Sequence, residues 1–556
     1  MPSARIVIDD TGDVDPELCF SVSDSDALAP GKAIQIKAGY GATAQVIFDG
    51  VVVRHGVRMN GSGGQLVLEC RDLAIAMTVG RKCANFIDMS DSEIIAKIID
   101  GTPGLSADVE ATSVTHRELV QYDVSDWDFM LARAQANGLV VACSAGKLSV
   151  KAPATDGAPV LSLTYGVDLI DFNAELDASS QLASVSSAAW DPATQEVVAY
   201  DAQPSGVINQ GNLDAATLAG VLGLASYRLQ SGAPMEAEAV KTWAASRQLR
   251  AAVARVRGHM RFQGSALARP GVMVDLAGVG KRFDGSAYLS AVTHTIADGD
   301  WITEAQFGMD PESLAERHEL AAPRAAGLTA GVSGLQIGVV MKLDQDPDQQ
   351  HKIQVRLPVL RAGTDGVWAR LASFYGSSGA GSFFIPEIGD EVVLGFLNSD
   401  PSHPLILGSL YSGKRAPPYA LSADNFTKAI VTRSALTVAF NDDKKAITIV
   451  TPGKNTIVLS DDEKSIELTD QHGSRVTLSA GGITLDSPKD ITISAKGNLN
   501  LSAQMDINMV SKADLNQQAL NINSKASIAF VASAAASAEL SAAGQTSVKG
   551  AMVYIN

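Results

Sequence analysis

Residues 483–515 read ITLDSPKDITISAKGNLNLSAQMDINMVSKADL, and their spacing decides the fold class. Apolar residues come in pairs two apart: Ile483/Leu485, Ile491/Ile493, Leu499/Leu501 and Ile507/Met509, followed by Leu515. Each pair begins 8 residues after the last. Upstream, Ile447/Ile449, Ile457/Leu459, Ile466/Leu468 and Val476/Leu478 repeat the pattern at a looser 9 to 10 residues. Thr, Ser, Asn and Asp fill the places between. Side chains two apart on a strand share one face, so each repeat is a short strand and a turn. Such a strand offers a core only two apolar side chains. One chain of these rungs buries too little surface to offset its ordering entropy. The core must be completed by further copies or by coiling on itself. A three-chain β-prism, each chain supplying one wall per layer, meets the need. A single-chain solenoid is the rival, but its coils are much longer than eight residues. Ile483, Leu485, Ile491, Ile493, Leu499, Leu501, Ile507, Met509 and Leu515 are therefore the expected trimer core.

Downstream the composition turns to small residues, KASIAFVASAAASAELSAAGQ over residues 525–545. Either this is a low-complexity tail or the prism narrows there, and an Ile528/Phe530 pair favours the prism. Upstream, residues 335–411 read as a compact all-β segment. Leu335, Ile337, Val339, Met341 and Leu343 alternate, as do Ile353, Val355 and Leu357, around an Asp346-Pro347-Asp348 turn. Five or six strands in this length suit a small barrel of the oligosaccharide/oligonucleotide-binding (OB) type. Residues 310–334, rich in Ala, Gly and charge, read as a linker.

Towards the N-terminus, short strands to about Val79 give way to two helices. In SDSEIIAKIIDG (90–101), Ser90 and Glu93 form a capping box, and Ile94, Ile95, Ile98 and Ile99 make one apolar face. In SDWDFMLARAQANG (125–138), Ser125 caps the helix, with Trp127, Met130, Leu131 and Ala134 expected inward and Gly138 as the stop. A hairpin over 139–150 follows, and an Ala-rich helix spans 235–255. The strand group at 30–52 is echoed at 270–289. Pro30-Gly31 matches Pro270-Gly271, and Phe48-Asp49-Gly50 matches Phe283-Asp284-Gly285. The echo predicts two similar barrels.

Of the 556 residues 46% are hydrophobic and 19% charged, a globular balance. Net charge is −17, which disfavours nucleic acid as a partner. Residues 421–556 carry 12 Lys+Arg against 13 Asp+Glu, so nearly all the acidity lies upstream. Cys19, Cys70, Cys83 and Cys143 share no metal-ligand spacing and read as buried thiols in a reducing compartment. MPSARIVIDD is no secretory signal. If the protein leaves the cell, the expected exit is by another route.

The segments GVVMKLDQDPDQQHKIQVRLP (338–358) and GVWARLASFYGSSGAGSFFIPEIGDEVVLGFLNSDPSHPLILGSLYSGK (366–414) resemble the core of the VgrG and phage baseplate assembly protein V family. Its motif falls on Gly389, Asp390, Glu391, Phe396, Gly408 and Tyr411. The N-terminal part resembles the phage hub or late-control D family, through the two capped helices and the segment ending at His294. The resemblance implies a mainly β spike protein for a contractile injection system. It would have a hub of two β-barrels with inserted helices, a central OB-fold barrel and a trimeric intertwined β-prism needle. The expected division is a hub at 1–320 with its helical insert at about 88–150, a linker at 321–334, the OB neck at 335–415, a linker at 416–430, and the needle with its tip at 431–556. Implied partners are two further copies, the hexameric inner tube or its initiator, baseplate proteins, a PAAR-type tip protein on Met552, Val553, Tyr554, Ile555 and Asn556, effector cargo, and transiently a target membrane. Assembly in the bacterial cytoplasm is what the resemblance implies. Extracellular particle, type VI apparatus and phage remain open as the system. No lysozyme domain fits between barrel and needle, and no H-x-H motif follows His472.

Catalytic patterns are absent. The eight histidines, His55, His116, His259, His294, His318, His351, His403 and His472, form no close pair and no H-E-x-x-H. The Gly-rich stretches at 60–64 and 376–381 lack the phosphate-loop pattern and read as hairpin loops. There is no G-x-S-x-G. No catalytic residue, cofactor or metal is expected. The alternative reading is a β-rich tail fibre, adhesin or glycan hydrolase-like spike, which would need a positioned acid pair in a cleft.

Overall fold

The computed structural model describes residues 1–10, 20–41, 43–60, 63–203, 208–316, 322–360 and 366–555. Cys19, His318 and Asn556 lie outside the described residues. The chain divides into two units, Met1–Leu410 and Tyr411–Asn556.

In the first unit, a four-stranded antiparallel sheet runs in the order Ser3–Asp9, Gly63–Arg71, Gln45–Asn60, Ala33–Ala38. Leu66, Leu68 and Cys70 alternate inward and pack with Phe48 and Val52. A six-stranded sheet follows the order Ser162–Thr164, Met273–Ala277, Gly285–Ala297, Asp300–Phe307, Val256–Gln263, Leu169–Leu176. A short turn with an isolated bridge between Tyr165 and Leu169 connects its two edge strands in sequence. Of the two expected hub barrels, then, neither is a closed barrel among the described residues: one is a four-stranded sheet and the other a six-stranded one.

The echo between the sheets holds in geometry at the Pro-Gly turns. Gly31 and Gly271 both take left-handed φ, +92° and +94°. Their N–H groups donate to Val52 O and Leu289 O, each at 2.8 Å, and Val52 N and Leu289 N return bonds to Lys32 O and Val272 O. The Phe-Asp-Gly echo does not hold. Aligning these turns sets Phe48 opposite Gly285, two residues out of step with Phe283.

The helical insert forms as its local sequence dictates. Helix α1 (Asp91–Asp100) has the complete capping box, with Glu93 N donating to Ser90 Oγ and Ser90 N to Glu93 Oε2. All four isoleucines are buried. Helix α2 (Asp126–Ala136) is capped by Ser125, which accepts from Asp128 N at 3.1 Å. It buries Phe129, Met130 and Ala134, while Trp127 and Leu131 are half-buried. Helix α3 (Ala215–Leu222) ends on left-handed Gly223. Helix α4 (Ala237–Val253) packs on a three-stranded sheet, where Val240 O accepts from Ser187 Oγ at 2.7 Å. Among the described residues no helix is long and apolar enough to cross a membrane.

In the same unit, Gln336–Lys342, Ile353–Arg356, Val367–Leu371, Pro404–Ser409 and Glu391–Phe396 form a closed barrel in that order. Its core is Val340, Ile353, Val355, Ala369, Val392, Leu394 and Ile406. The alternation at 335–343 has the right period and the opposite face. Gly338 and Val340 point inward, while Leu335 and Ile337 are exposed. The reason is steric. A Cβ on Gly338 would sit 2.8 Å from Leu394 Cδ1, so glycine there makes room for the larger side chain.

The second unit opens with seven antiparallel strands in sequence order: Thr427–Val431, Thr437–Asn441, Ala446–Val450, Thr456–Ser460, Ser465–Thr469, Arg475–Ser479 and Gly482–Asp486. The first falls inside the stretch expected as the 416–430 linker, because Ile430 pairs with Val438 and extends the ladder by one rung. From residue 487 the chain forms no strand of its own. It bends at 488, 496, 504, 512 and 520, then at 527, 535, 543 and 551. One step of seven interrupts the octads.

Candidate functional site

In the strands of the second unit, the paired apolar residues of successive strands stand opposite one another. Ile447 pairs with Leu459, Ile449 with Ile457, Leu459 with Ile466 and Ile457 with Leu468. Ile466 then pairs with Leu478, Leu468 with Val476, Leu478 with Ile483 and Val476 with Leu485. Residues two apart on one strand thus meet residues two apart on the next, and the apolar pairs make one continuous ladder. Val438 and Phe440 join it opposite Ile449 and Ile447, a rung the sequence reading missed because Ala439 and Asn441 break its Thr/Asp pattern.

This ladder has no cover. Ile447, Ile449, Ile457, Leu459, Ile466 and Leu468 are each 37–40% exposed. The opposite face, with Thr448, Val458 and Glu467, is the less exposed of the two. That inverts the normal order for a sheet in water. Among the described residues of this unit no apolar side chain is buried. An apolar face of this extent marks an interface.

The structure treats the other expected core residues differently. Ile483 and Leu485 belong to the last strand. Ile491, Ile493, Leu499, Leu501, Ile507, Met509 and Leu515 are exposed and make no strand pairs within one chain. Each of the leading residues Ile491, Leu499, Ile507 and Leu515 lies three residues after the start of a bend, so their setting repeats even without contacts. Ile528 is not a core partner of Phe530. It sits on a bend and is 100% exposed, because the seven-residue step moves the register and leaves Phe530 and Ala532 in the paired positions. Of the expected tip-contact residues, Met552, Val553, Tyr554 and Ile555 are exposed.

The barrel motif is a structural turn. Gly389 takes φ +83° and donates to Val340 O at 2.8 Å. Asp390 accepts from Glu387 N at 2.8 Å through its carboxylate and from Val340 N through its carbonyl. Glu391 continues the strand opposite Val339, and its carbonyl takes Leu410 N. Phe396 packs on the barrel core, Gly408 pairs with Val393, and Tyr411 is exposed. The Gly-rich loop closes as a hairpin, Gly376–Ser377 against Ala380–Gly381. Sequence reading passed over its flanks. Phe374 and Phe383 are 88% and 87% exposed, beside exposed Tyr375 and Phe384.

Among the described residues no group of three His, Cys, Asp or Glu side chains is placed to hold a metal. Cys70 is buried and Cys143 half-buried, while Cys83 is exposed; none is in a disulfide. Burial raises both the Cys70 and Cys143 thiols, the latter also through the neighbouring Asp72 carboxylate, which is the wrong direction for a nucleophile.

The comparisons with known proteins fall on the same segments. Residues 1–298 match the family model of the Alg8 N-terminal domain. Residues 336–411, the closed barrel, match that of the Type VI secretion system/phage-baseplate injector OB domain. The Type VI secretion system spike protein VgrG3 of Vibrio cholerae is 42% identical over 64 residues, 12% of this chain and 6% of the relative. The actin cross-linking toxin VgrG1 of Vibrio cholerae is 29% identical over 99 residues, 17% of this chain and 9% of the relative. The chain thus spans less than a tenth of the length of either relative. The prophage MuSo2 43 kDa tail protein of Shewanella oneidensis aligns over 56% of this chain and 89% of its own, with TM-score 0.41 and 10% identity. The barrel's family match and the spike relatives both point to the VgrG and phage baseplate assembly protein V class. The chain belongs to the family of the Alg8 N-terminal domain, whose model matches more than half of its residues.

Proposed function

We propose that this protein is the structural central spike of a contractile injection system. It works as a homotrimer whose hub, residues 1–320, caps and adapts a sixfold inner tube to a threefold needle at 431–556. The observation that carries this reading is the uncovered apolar ladder of the second unit, in a chain whose barrel matches the injector OB family. Two further copies would cover each ladder, and the octads from Ile483 to Leu515 would form strands between chains. The mechanism is then mechanical. Force on the hub passes to a needle from which no chain can peel away alone, and the needle is driven through a target membrane. Met552–Asn556 would seat a PAAR-type tip protein, with effectors carried alongside. Baseplate proteins would surround the hub, and nucleic acid has no part. The particle would assemble in the bacterial cytoplasm and be released from there. No catalytic step is assigned to the chain.

Mixing the purified protein with the inner-tube protein of the same system tests this. The expected result is a stable complex with three copies of this chain at one end of each tube, and no release of sugars from peptidoglycan. Failure to bind the tube together with hydrolysis of glycan would replace the spike with the glycan-acting alternative.

A further inference from the structure

The hub contains a cleft of about 500 Å³ between α2, α4 and the segment after Tyr227–Ser231. Its floor is built on Asp91, which is 1% exposed. Arg133 grips this carboxylate with two bonds, Nε to Oδ1 at 2.6 Å and Nη2 to Oδ2 at 2.9 Å. Asn137 Nδ2 donates to it at 2.8 Å. His116 Nε2 lies 3.1 Å from Oδ2 and 3.2 Å from Arg133 Nη2. Asp91 is therefore saturated and its charge neutralised. Arg133 is not saturated. Its Nη1 makes no hydrogen bond among the described residues, although the side chain is only 24% exposed and lines the cleft. The walls combine apolar Val114, Met235, Ala239 and Trp243 with polar Gln230, Ser231 and Thr242. Glu236 and Glu238 lie on the exposed start of α4, outside the lining, and Glu238 is paired with Lys241.

A half-buried guanidinium edge with a free nitrogen calls for an acceptor, and an ionised one binds it about twice as strongly as a neutral one. The volume is that of a small-ligand site, and the mixture of apolar wall and few polar groups is typical of one. We propose that this cleft binds a carboxylate carried on an aromatic-sized apolar body, with Arg133 Nη1 taking the carboxylate and Trp243 and Met235 taking the body. The same chemistry comes from a free organic acid or from a chain terminus ending in an aromatic residue.

Calorimetric titration of the full-length protein with indole-3-acetate, indole-3-acetamide and the peptide Gly-Gly-Phe tests it. The acid is expected to bind with a dissociation constant of about 1 mM or tighter, given its few atoms. The isosteric amide should bind roughly tenfold or more weakly, since a charge-assisted bond becomes a neutral one. A tighter peptide than indole-3-acetate points to a chain terminus as the source, and the reverse order to a free acid. Ala239→Phe fills the cleft from α4 without touching Asp91, and should abolish binding while the thermal melt stays unchanged. Arg133 is a poorer first variant, because its loss strands Asp91. Acid and amide binding alike, neither the acid nor the peptide binding, or binding that survives Ala239→Phe would overturn the proposal.

Discussion

The double substitution Ile491→Asp and Ile493→Asp is expected to abolish the proposed trimer. In a three-chain prism these side chains point at the axis, so the change places six carboxylates in one apolar layer. Each buried, unpaired charge costs several kcal/mol, and the six repel one another. No rotamer reaches solvent from the inside of a closed layer. The same two residues in the free chain are already exposed, so the substitution costs the unassembled protein almost nothing. The whole effect therefore falls on assembly. Gel filtration with mass detection reads it, and the hub's own melting transition serves as the internal control. A trimer that persists would mean these positions face outward, one residue out of register.

Asp91→Ala is expected to give the second large effect, confined to the first unit. Removing one member of a buried pair leaves the other charged and unsatisfied, a loss of about 3–5 kcal/mol. Here Arg133, Asn137 and His116 would all lose their acceptor. Urea unfolding of the hub transition measures this, and a loss below about 1 kcal/mol would mean that the cluster behaves like a surface pair. The pH dependence has a definite sign. Burial alone raises the Asp91 carboxyl, but the hydrogen bonds and charge of Arg133, with Asn137 and His116, hold it below the usual carboxylate range. A depressed folded-state value means stability that is present above the unfolded value, about pH 3.9, and is lost as pH falls through the folded one. The Ala variant should lack this acid-side loss.

What the sequence made legible was local or periodic. The Ser90–Glu93 capping box spans three residues, so one turn of chain determines it, and it forms as read. The ladder was legible because strand pairing keeps the two-residue period through each turn. The misreadings share a cause. At 335–343 the apolar residues alternate, but the inward side is set by Leu394 pressing against Gly338, a contact no local pattern carries. Ile528 and Phe530 have pair spacing, yet a single seven-residue step upstream moves Ile528 onto a bend. The open first sheet depends on strand number and curvature, which turn motifs do not encode. The hub cleft was invisible for the same reason, since Asp91 and Arg133 are 42 residues apart on two helices. Each reads alone as an ordinary surface charge.

The central claim is that the ladder is one wall of a three-chain needle. Light scattering on the purified full-length protein tests it most directly. The account predicts a mass near three times 57.9 kDa, independent of dilution through the micromolar range. A mass of 57.9 kDa would contradict it, and the uncovered face would then have to close within a single chain.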